Sequence, residues 1–280
     1  MSISDPPPRR GLSRSERLRF DALGFVVLKG ALSRARAEAL HDALIRLRSE
    51  PDLAAHGVYI NRDAPHFWHV GNLVAYDELL RDYATDPYLI SCVRQVVGGD
   101  VRLEESEAIL NRRDPALPDS AWDVCGVVPV GFHIGAEPGW GTWEEGGRLH
   151  CLFVKTLAFL TDVGPDDGGT AVIPGSHRVR WGTEAIVEAV RDDPSIAVQL
   201  TAEAGDVVLF AESLVHSSTE IRSTRDRAIL VSGYTPPMLR EWPGNEIPVE
   251  YLARQEPRVR EVLSGGQSWH WRRERPGGNA

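Results

Sequence analysis

The chain has 280 residues, 42% hydrophobic and 25% charged, with a formal net charge of −9. That composition supports a buried core of ordinary size. The acidic balance argues against nucleic acid or an anionic membrane surface as the main partner, since both reward positive charge. The three cysteines, Cys92, Cys125 and Cys151, form no C-x-x-C pair and suit a reducing compartment better than a disulfide framework. No apolar run reaches the roughly 18 residues needed to cross a bilayer. The polar, proline-rich opening lacks the apolar centre of a secretory signal. A cytoplasmic protein with no membrane or nucleic-acid partner is expected, its oligomeric state undefined.

Along the chain, residues 1–11, with Pro6-Pro7-Pro8, read as a disordered lead-in. Leu12 to Leu23 favours a helix starting at Ser13 or Ser15 and stopped by Gly24, and Phe25-Val26-Val27-Leu28 follows as a strand. Ser33 caps a second helix whose apolar positions Ala37, Leu40, Ala43, Leu44 and Leu47 recur at three- and four-residue steps, ended by Pro51. Glu50 to Tyr83 is irregular, with His56, Tyr59, His66, Phe67, Trp68 and His69 among turn formers. Asp86 to Val97 reads as a helix closed by Gly98-Gly99. Strand-like runs then dominate: Val101–Leu110, Val124–His133, Cys151–Leu160, Thr170–Ile173, Val207–Phe210 and Ala228–Thr235.

Short strands after a helical third predict a mainly β fold with flanking helices, built on a double-stranded β-helix (jelly-roll, cupin-like) core. The expected organisation is one domain over 12–237, helical over 12–99 and jelly roll over 100–237. Residues 238–280 form a C-terminal extension ending in a Trp269-His270-Trp271 cluster and several arginines.

The chemistry lies in His133 and His216, with Arg227 eleven residues past the second histidine. Two imidazoles from separate strands suit a non-haem metal, and a guanidinium at the start of an apolar strand suits a buried carboxylate, which its planar fork can grip with two hydrogen bonds. Around them stand Leu160-Thr161-Asp162-Val163, Gly168-Gly169, Pro174-Gly175-Ser176-His177 and Gly205-Asp206. With the opening Asp21-Ala22-Leu23-Gly24-Phe25-Val26-Val27-Leu28, these words resemble the phytanoyl-CoA dioxygenase family of Fe(II)/2-oxoglutarate-dependent oxygenases.

The resemblance implies an enzyme that hydroxylates a small organic molecule, using iron(II), dioxygen and 2-oxoglutarate and releasing succinate and carbon dioxide. It implies His133 and His216 as catalytic iron ligands and Arg227 as the partner of the 2-oxoglutarate carboxylate. Ser218 would assist that carboxylate, and Asn111 and Lys155 are further candidates for cosubstrate contact. Lys155 interrupts an apolar strand and needs either an anionic partner or solvent. Arg225 is an alternative to Arg227.

One position departs from the family pattern. The first ligand pair is usually His-x-Asp, because a strand puts residues i and i+2 on one side, yet here it reads His133-Ile134-Gly135. Three outcomes stay open. Chloride could fill the vacancy, as in related iron halogenases with a small residue there. Another acid could serve, Glu137, Glu144 or Glu145, although a straight strand would leave the Glu137 Cα roughly 13 Å from that of His133. Or metal binding is lost and the jelly roll serves as a small-molecule binding protein. His150 rivals His133 as first ligand, and His177 belongs to a structural turn.

Overall fold

The computed structural model describes residues 11–116 and 129–265. The triple proline, Cys125, the first part of the strand read from Val124 and the Trp269-His270-Trp271 cluster lie outside these described residues.

Helix α1 (Arg14–Leu23) begins with a reciprocal cap: Ser13 Oγ accepts from the Glu16 amide while the Glu16 carboxylate accepts from the Ser13 amide. Gly24 ends it at φ 83°, a left-handed conformation a side chain would resist, and β1 (Phe25–Leu28) follows at once. Helix α2 (Arg34–Arg48), capped by Ser33, buries the five apolar positions that the spacing predicts. The stretch read as irregular instead holds the hairpin β2 (Tyr59–Ala64) and β3 (Phe67–Gly71), then α3 (Glu78–Ala84). Its β signal is weak because β2 exposes Ile60 to Asp63 in succession. Helix α4 (Pro87–Val97) starts at Asp86, whose carboxylate accepts two amides, and ends at Gly98.

The remaining elements are β4 (Arg102–Asn111), β5 (Pro129–His133), α5 (Pro138–Gly141), β6 (Thr142–Glu145), β7 (Arg148–Cys151), β8 (Val154–Phe159), β9 (Thr170–Val172), α6 (Thr183–Asp192), β10 (Val198–Gln199), β11 (Val207–Ala211), β12 (His216–Thr219), β13 (Arg227–Thr235), α7 (Val249–Ala253) and α8 (Pro257–Ser264). A seven-stranded sheet runs β1-β11-β8-β13-β4-β3-β2, and a four-stranded sheet runs β10-β9-β12-β5. The pairings are antiparallel, and the two sheets face each other as a jelly roll with helices on the outer face of the larger one. No helix among the described residues is long and apolar enough to cross a membrane.

Two apolar layers follow from the strand period. On β8, Val154 and Ala158 join the helix-side core with Leu40, Leu44 and Val93, whereas Leu157 and Phe159 join the inter-sheet core with Val172, Phe210 and Ile229. Lys155 shares the inward face. Each fully buried leucine of α2 stabilises the fold by about 1.5–3 kcal/mol through apolar burial. Val262 and Leu263 of α8 are also buried in the helix-side core, so residues up to 265 cover the larger sheet next to β4.

Candidate active site

His133 ends β5 and His216 begins β12, directly opposite each other in the strand pairing. The register shifts between His216 and Ser218, where Gly131 adopts φ 72°. A bulge of this kind re-aims a neighbouring side chain, and the His133 and His216 ring centroids stand 4.3 Å apart. Each Nδ1 meets the carbonyl two residues back, Gly131 at 3.0 Å and Leu214 at 2.8 Å. A carbonyl only accepts, so each Nδ1 carries the hydrogen and each Nε2 is left with a lone pair, the tautomer a metal ligand needs. Burial holds the His216 pKa down, to about 4, outweighing the pull of Glu212, so this ring is neutral near pH 7.

The vacancy at Gly135 is filled. A Cβ on Gly135 would lie 1.9 Å from Glu212 Oε2, and the Gly135 amide donates to the Glu212 carbonyl at 2.8 Å. The Glu212 carboxylate therefore takes the volume that an acid at position 135 would use. Its Oε1 stands 3.8 Å from His216 Nε2 and 3.3 Å from Lys155 Nζ. Lys155 also pairs with Glu105 at 2.7 Å. The anionic partner expected for Lys155 is thus two glutamates of this chain, which corrects the expectation of cosubstrate contact. Burial opposes the Lys155 ammonium, but Glu212 and Glu105 outweigh it and raise its pKa. Burial lifts the Glu105 carboxyl to about 7, against the pull of Lys155. Gly233 permits this packing, since a Cβ there would meet Glu105 Cγ at 2.7 Å. Glu107 completes the cluster, accepting from Tyr59 Oη at 2.9 Å and lying 3.2 Å from His69 Nε2.

Arg227 opens β13 opposite Asn111 of β4 and is 1% exposed. Its Nε donates to Asn111 Oδ1 at 3.0 Å and Nη1 donates to the Gly168 carbonyl, while Nη2 is buried without a hydrogen-bond partner. Among the described residues no carboxylate pairs with it, and burial alone pulls its pKa down to about 10. Arg225, by contrast, pairs with Asp167 near the surface. Ser218 and Asn111 line a cleft of about 420 Å³ with Phe67, His66 and Arg112. Gly168 lies four residues before Val172, which sits opposite His216, so the histidine and arginine ends are no more than about 13 Å apart along the strand.

The rival residues lie elsewhere. Glu137 is exposed at the start of α5, Glu144 pairs with Arg178, and Glu145 stands on the β6–β7 hairpin. His150 is buried against Trp143 (centroids 5.5 Å apart) and the Gly98 backbone. His177, fully buried, faces the Asp21 carbonyl. Glu212 is the site residue that sequence reading missed. Its signal was the spacing of four residues before His216, in a turn after an all-apolar strand where a buried acid needs a reason.

Metal-holding chemistry is present, although among the described residues no three His, Cys, Asp or Glu side chains already stand at ligand separations. Two lone pairs converge beside a buried carboxylate, and an unfilled cationic donor lies farther in. That donor set fits a divalent iron with an anionic cosubstrate.

The phytanoyl-CoA dioxygenase (PhyH) family model matches residues 138–229. Dioxygenase af480 of Aspergillus fumigatus is 27% identical over 251 residues, covering 86% of this chain and 73% of that protein. HygX from Streptomyces hygroscopicus, solved with nickel and 2-oxoglutarate bound, superposes with a TM-score of 0.66 at 24% identity, covering 83% of this chain and 90% of its own. The 2-oxoglutarate-dependent carbocyclase SnoK from nogalamycin biosynthesis gives a TM-score of 0.63 at 20% identity, covering 91% and 95%. The likeness to the solved structures establishes the jelly-roll fold. The stretch from α5 to the start of β13 is what the chain shares with the phytanoyl-CoA dioxygenase (PhyH) family, to which it is similar there.

Proposed function

We propose that this protein hydroxylates a small organic molecule with iron(II), 2-oxoglutarate and dioxygen. The observation that carries the reading is Arg227: a buried guanidinium whose Nη2 has no hydrogen-bond partner and which pairs with no carboxylate among the described residues, in a fold that also pairs two imidazoles whose Nδ1 hydrogen bonds leave each Nε2 with a lone pair. An uncompensated buried cation costs several kcal/mol, so a fold that keeps one is built to receive an anion.

Bound iron(II) would supply the coupling of dioxygen reduction to 2-oxoglutarate decarboxylation and substrate oxidation. His133 and His216 would hold it through Nε2, each ring fixed by its Nδ1–carbonyl hydrogen bond. Arg227 would grip the far carboxylate of 2-oxoglutarate, with Asn111 orienting the guanidinium and Ser218 offering a hydroxyl from the adjacent strand. Val231, Leu157 and Ile229 keep the barrel wall dry, which strengthens the arginine–carboxylate pairing. Tyr59 and His69, beside Glu107, and Phe67 at the cleft supply aromatic surface for an organic substrate.

Halogenation is disfavoured by what fills position 135. A halide there would have to share its space with the Glu212 carboxylate, and two anions in one buried site repel. Relatives of this fold include an epimerase and a carbocyclase, so the outcome of substrate oxidation depends on substrate placement.

Anaerobic addition of Fe(II) and then 2-oxoglutarate tests the reading. The expected result is a weak visible charge-transfer band, unchanged by chloride or bromide. With 2-oxoglutarate at a hundred times its Kd, a thermal shift of about 5–10 °C should accompany it. No band and no shift would leave only a small-molecule binding protein.

A further inference from the structure

Resting on that reading, we infer that Glu212 is the third protein ligand of the metal, delivered from the turn before β12 in place of the acid that position 135 lacks. The volume argument comes first. Glu212 Oε2 lies 1.9 Å from where a Cβ on Gly135 would be, so one carboxylate can occupy this volume and the glycine is what admits it. The backbone is arranged for the exchange. The amides of Gly135 and Ala136 both donate to the Glu212 carbonyl, at 2.8 and 3.3 Å, and the Glu212 amide donates to Phe153. This clamp fixes the distance between the two segments, so glycine at 135 and glutamate at 212 act as one unit.

The second argument is chemical. Glu212 is 2% exposed, and its Oε1 makes no hydrogen bond among the described residues, lying 3.3 Å from the Lys155 ammonium. The same oxygen is 3.8 Å from His216 Nε2. Lys155 keeps the closer Glu105, at 2.7 Å, when Glu212 turns to a metal. The ammonium thus holds the carboxylate ready without being stranded by its departure. Glutamate is also suited by length: the acid starts from β11's end rather than from the β5 strand, and the longer side chain reaches back across.

The test is a ligand swap read by metal binding, not turnover. Anaerobic titration with Co(II) alone, followed by its visible absorption and by calorimetry, should give one site in the wild type. Glu212→Gln, which keeps shape and leaves Lys155 paired with Glu105, should weaken Co(II) binding by at least about 100-fold, at or beyond what loss of an orienting partner costs. Gly135→Asp alone should bind no tighter and should lower Tm, because its side chain collides with Glu212. Gly135→Asp combined with Glu212→Ala should recover Co(II) affinity to within about tenfold of wild type. Circular dichroism confirms that each variant is folded. Wild-type affinity in Glu212→Gln, or a folded double variant no better than Glu212→Ala alone, overturns the inference while leaving the oxygenase reading intact. A wild-type protein that takes up no Co(II) and shows no 2-oxoglutarate shift overturns both.

Discussion

The two ends of the barrel interior carry opposite charge deficits. At the β13 start, Arg227 is a buried cation satisfied on two nitrogens by neutral oxygens and on the third by none of the described residues. At the other end, Glu105, Glu107 and Glu212 crowd around one ammonium, Lys155, with the imidazole of His69 beside Glu107. One end lacks an anion and the other lacks a cation. An apolar stretch with Leu157, Ile229 and Val231 separates them, so neither can neutralise the other. A small dicarboxylate and a divalent metal would supply the missing charges at the two ends. The interior thus carries two separate charge deficits, and each end can be broken independently.

Removing the cation from the acidic end should have the largest effect. Lys155→Met leaves three carboxylates without their ammonium, and breaking a buried pair costs about 3–5 kcal/mol. Chemical denaturation of the metal-free variant should show that loss, and a divalent metal should restore more stability than it gives the wild type. A variant as stable as wild type would mean Lys155 does not neutralise this end. At the opposite end, Arg227→Met should behave with reversed sign. Removing a buried cation that pairs with no carboxylate among the described residues should leave the apo protein as stable or more stable, the desolvation cost it relieves outweighing its hydrogen bonds to Asn111 and Gly168. It should abolish the thermal shift from 2-oxoglutarate and weaken its binding by at least about 100-fold, since the proposed arginine–carboxylate pair would be lost. A large apo loss with 2-oxoglutarate binding intact would show Arg227 to be purely structural.

How much of this was legible in the sequence differs between the ends. At the Arg227 end, an arginine beginning an apolar strand eleven residues after a histidine matched the pattern of the family the sequence resembles, and the same resemblance suggested Asn111, which the strand pairing sets opposite Arg227. His133 and His216 were equally legible as a pair. The acidic end is not local. Glu212 becomes a site residue only because the turn after β11 folds onto Gly135, and Glu105 only because β4 lies next to β13 with Gly233 opposite. The spacing to His216 marks Glu212 as an acid that needs a reason, but no window of neighbouring residues shows that it reaches Gly135 or that Glu105 reaches Lys155. The same limit hid the β2–β3 hairpin, whose outer strand is exposed and charged at Arg62 and Asp63 and shows no alternation. Lys155 was left open between an anionic partner and solvent, and spacing could not say that two glutamates of the chain would meet it.

The smallest expected effect is a pH dependence confined to the acidic end. Burial raises the Glu105 carboxyl to about 7 in the folded protein, while the unfolded chain holds it near 4.5. Between those values the folded state binds more protons than the unfolded one. Stability from this group is therefore fully present below pH 4.5 and is lost as pH rises through about 7, amounting to roughly 2–4 kcal/mol. Glu105→Gln removes the titration and should flatten that part of the metal-free stability curve, so that wild type and variant diverge with rising pH. A bound divalent cation should flatten the wild-type curve in the same way, because it favours ionised carboxylates nearby. Arg227→Met, at the far end, should leave the slope unchanged over this range, since the arginine titrates only near 10. Equal slopes for wild type and Glu105→Gln would show that Glu105 ionises as readily in the fold as in the unfolded chain, so that the acidic end has no unmet need for a cation and the contrast between the two ends rests on Arg227 alone.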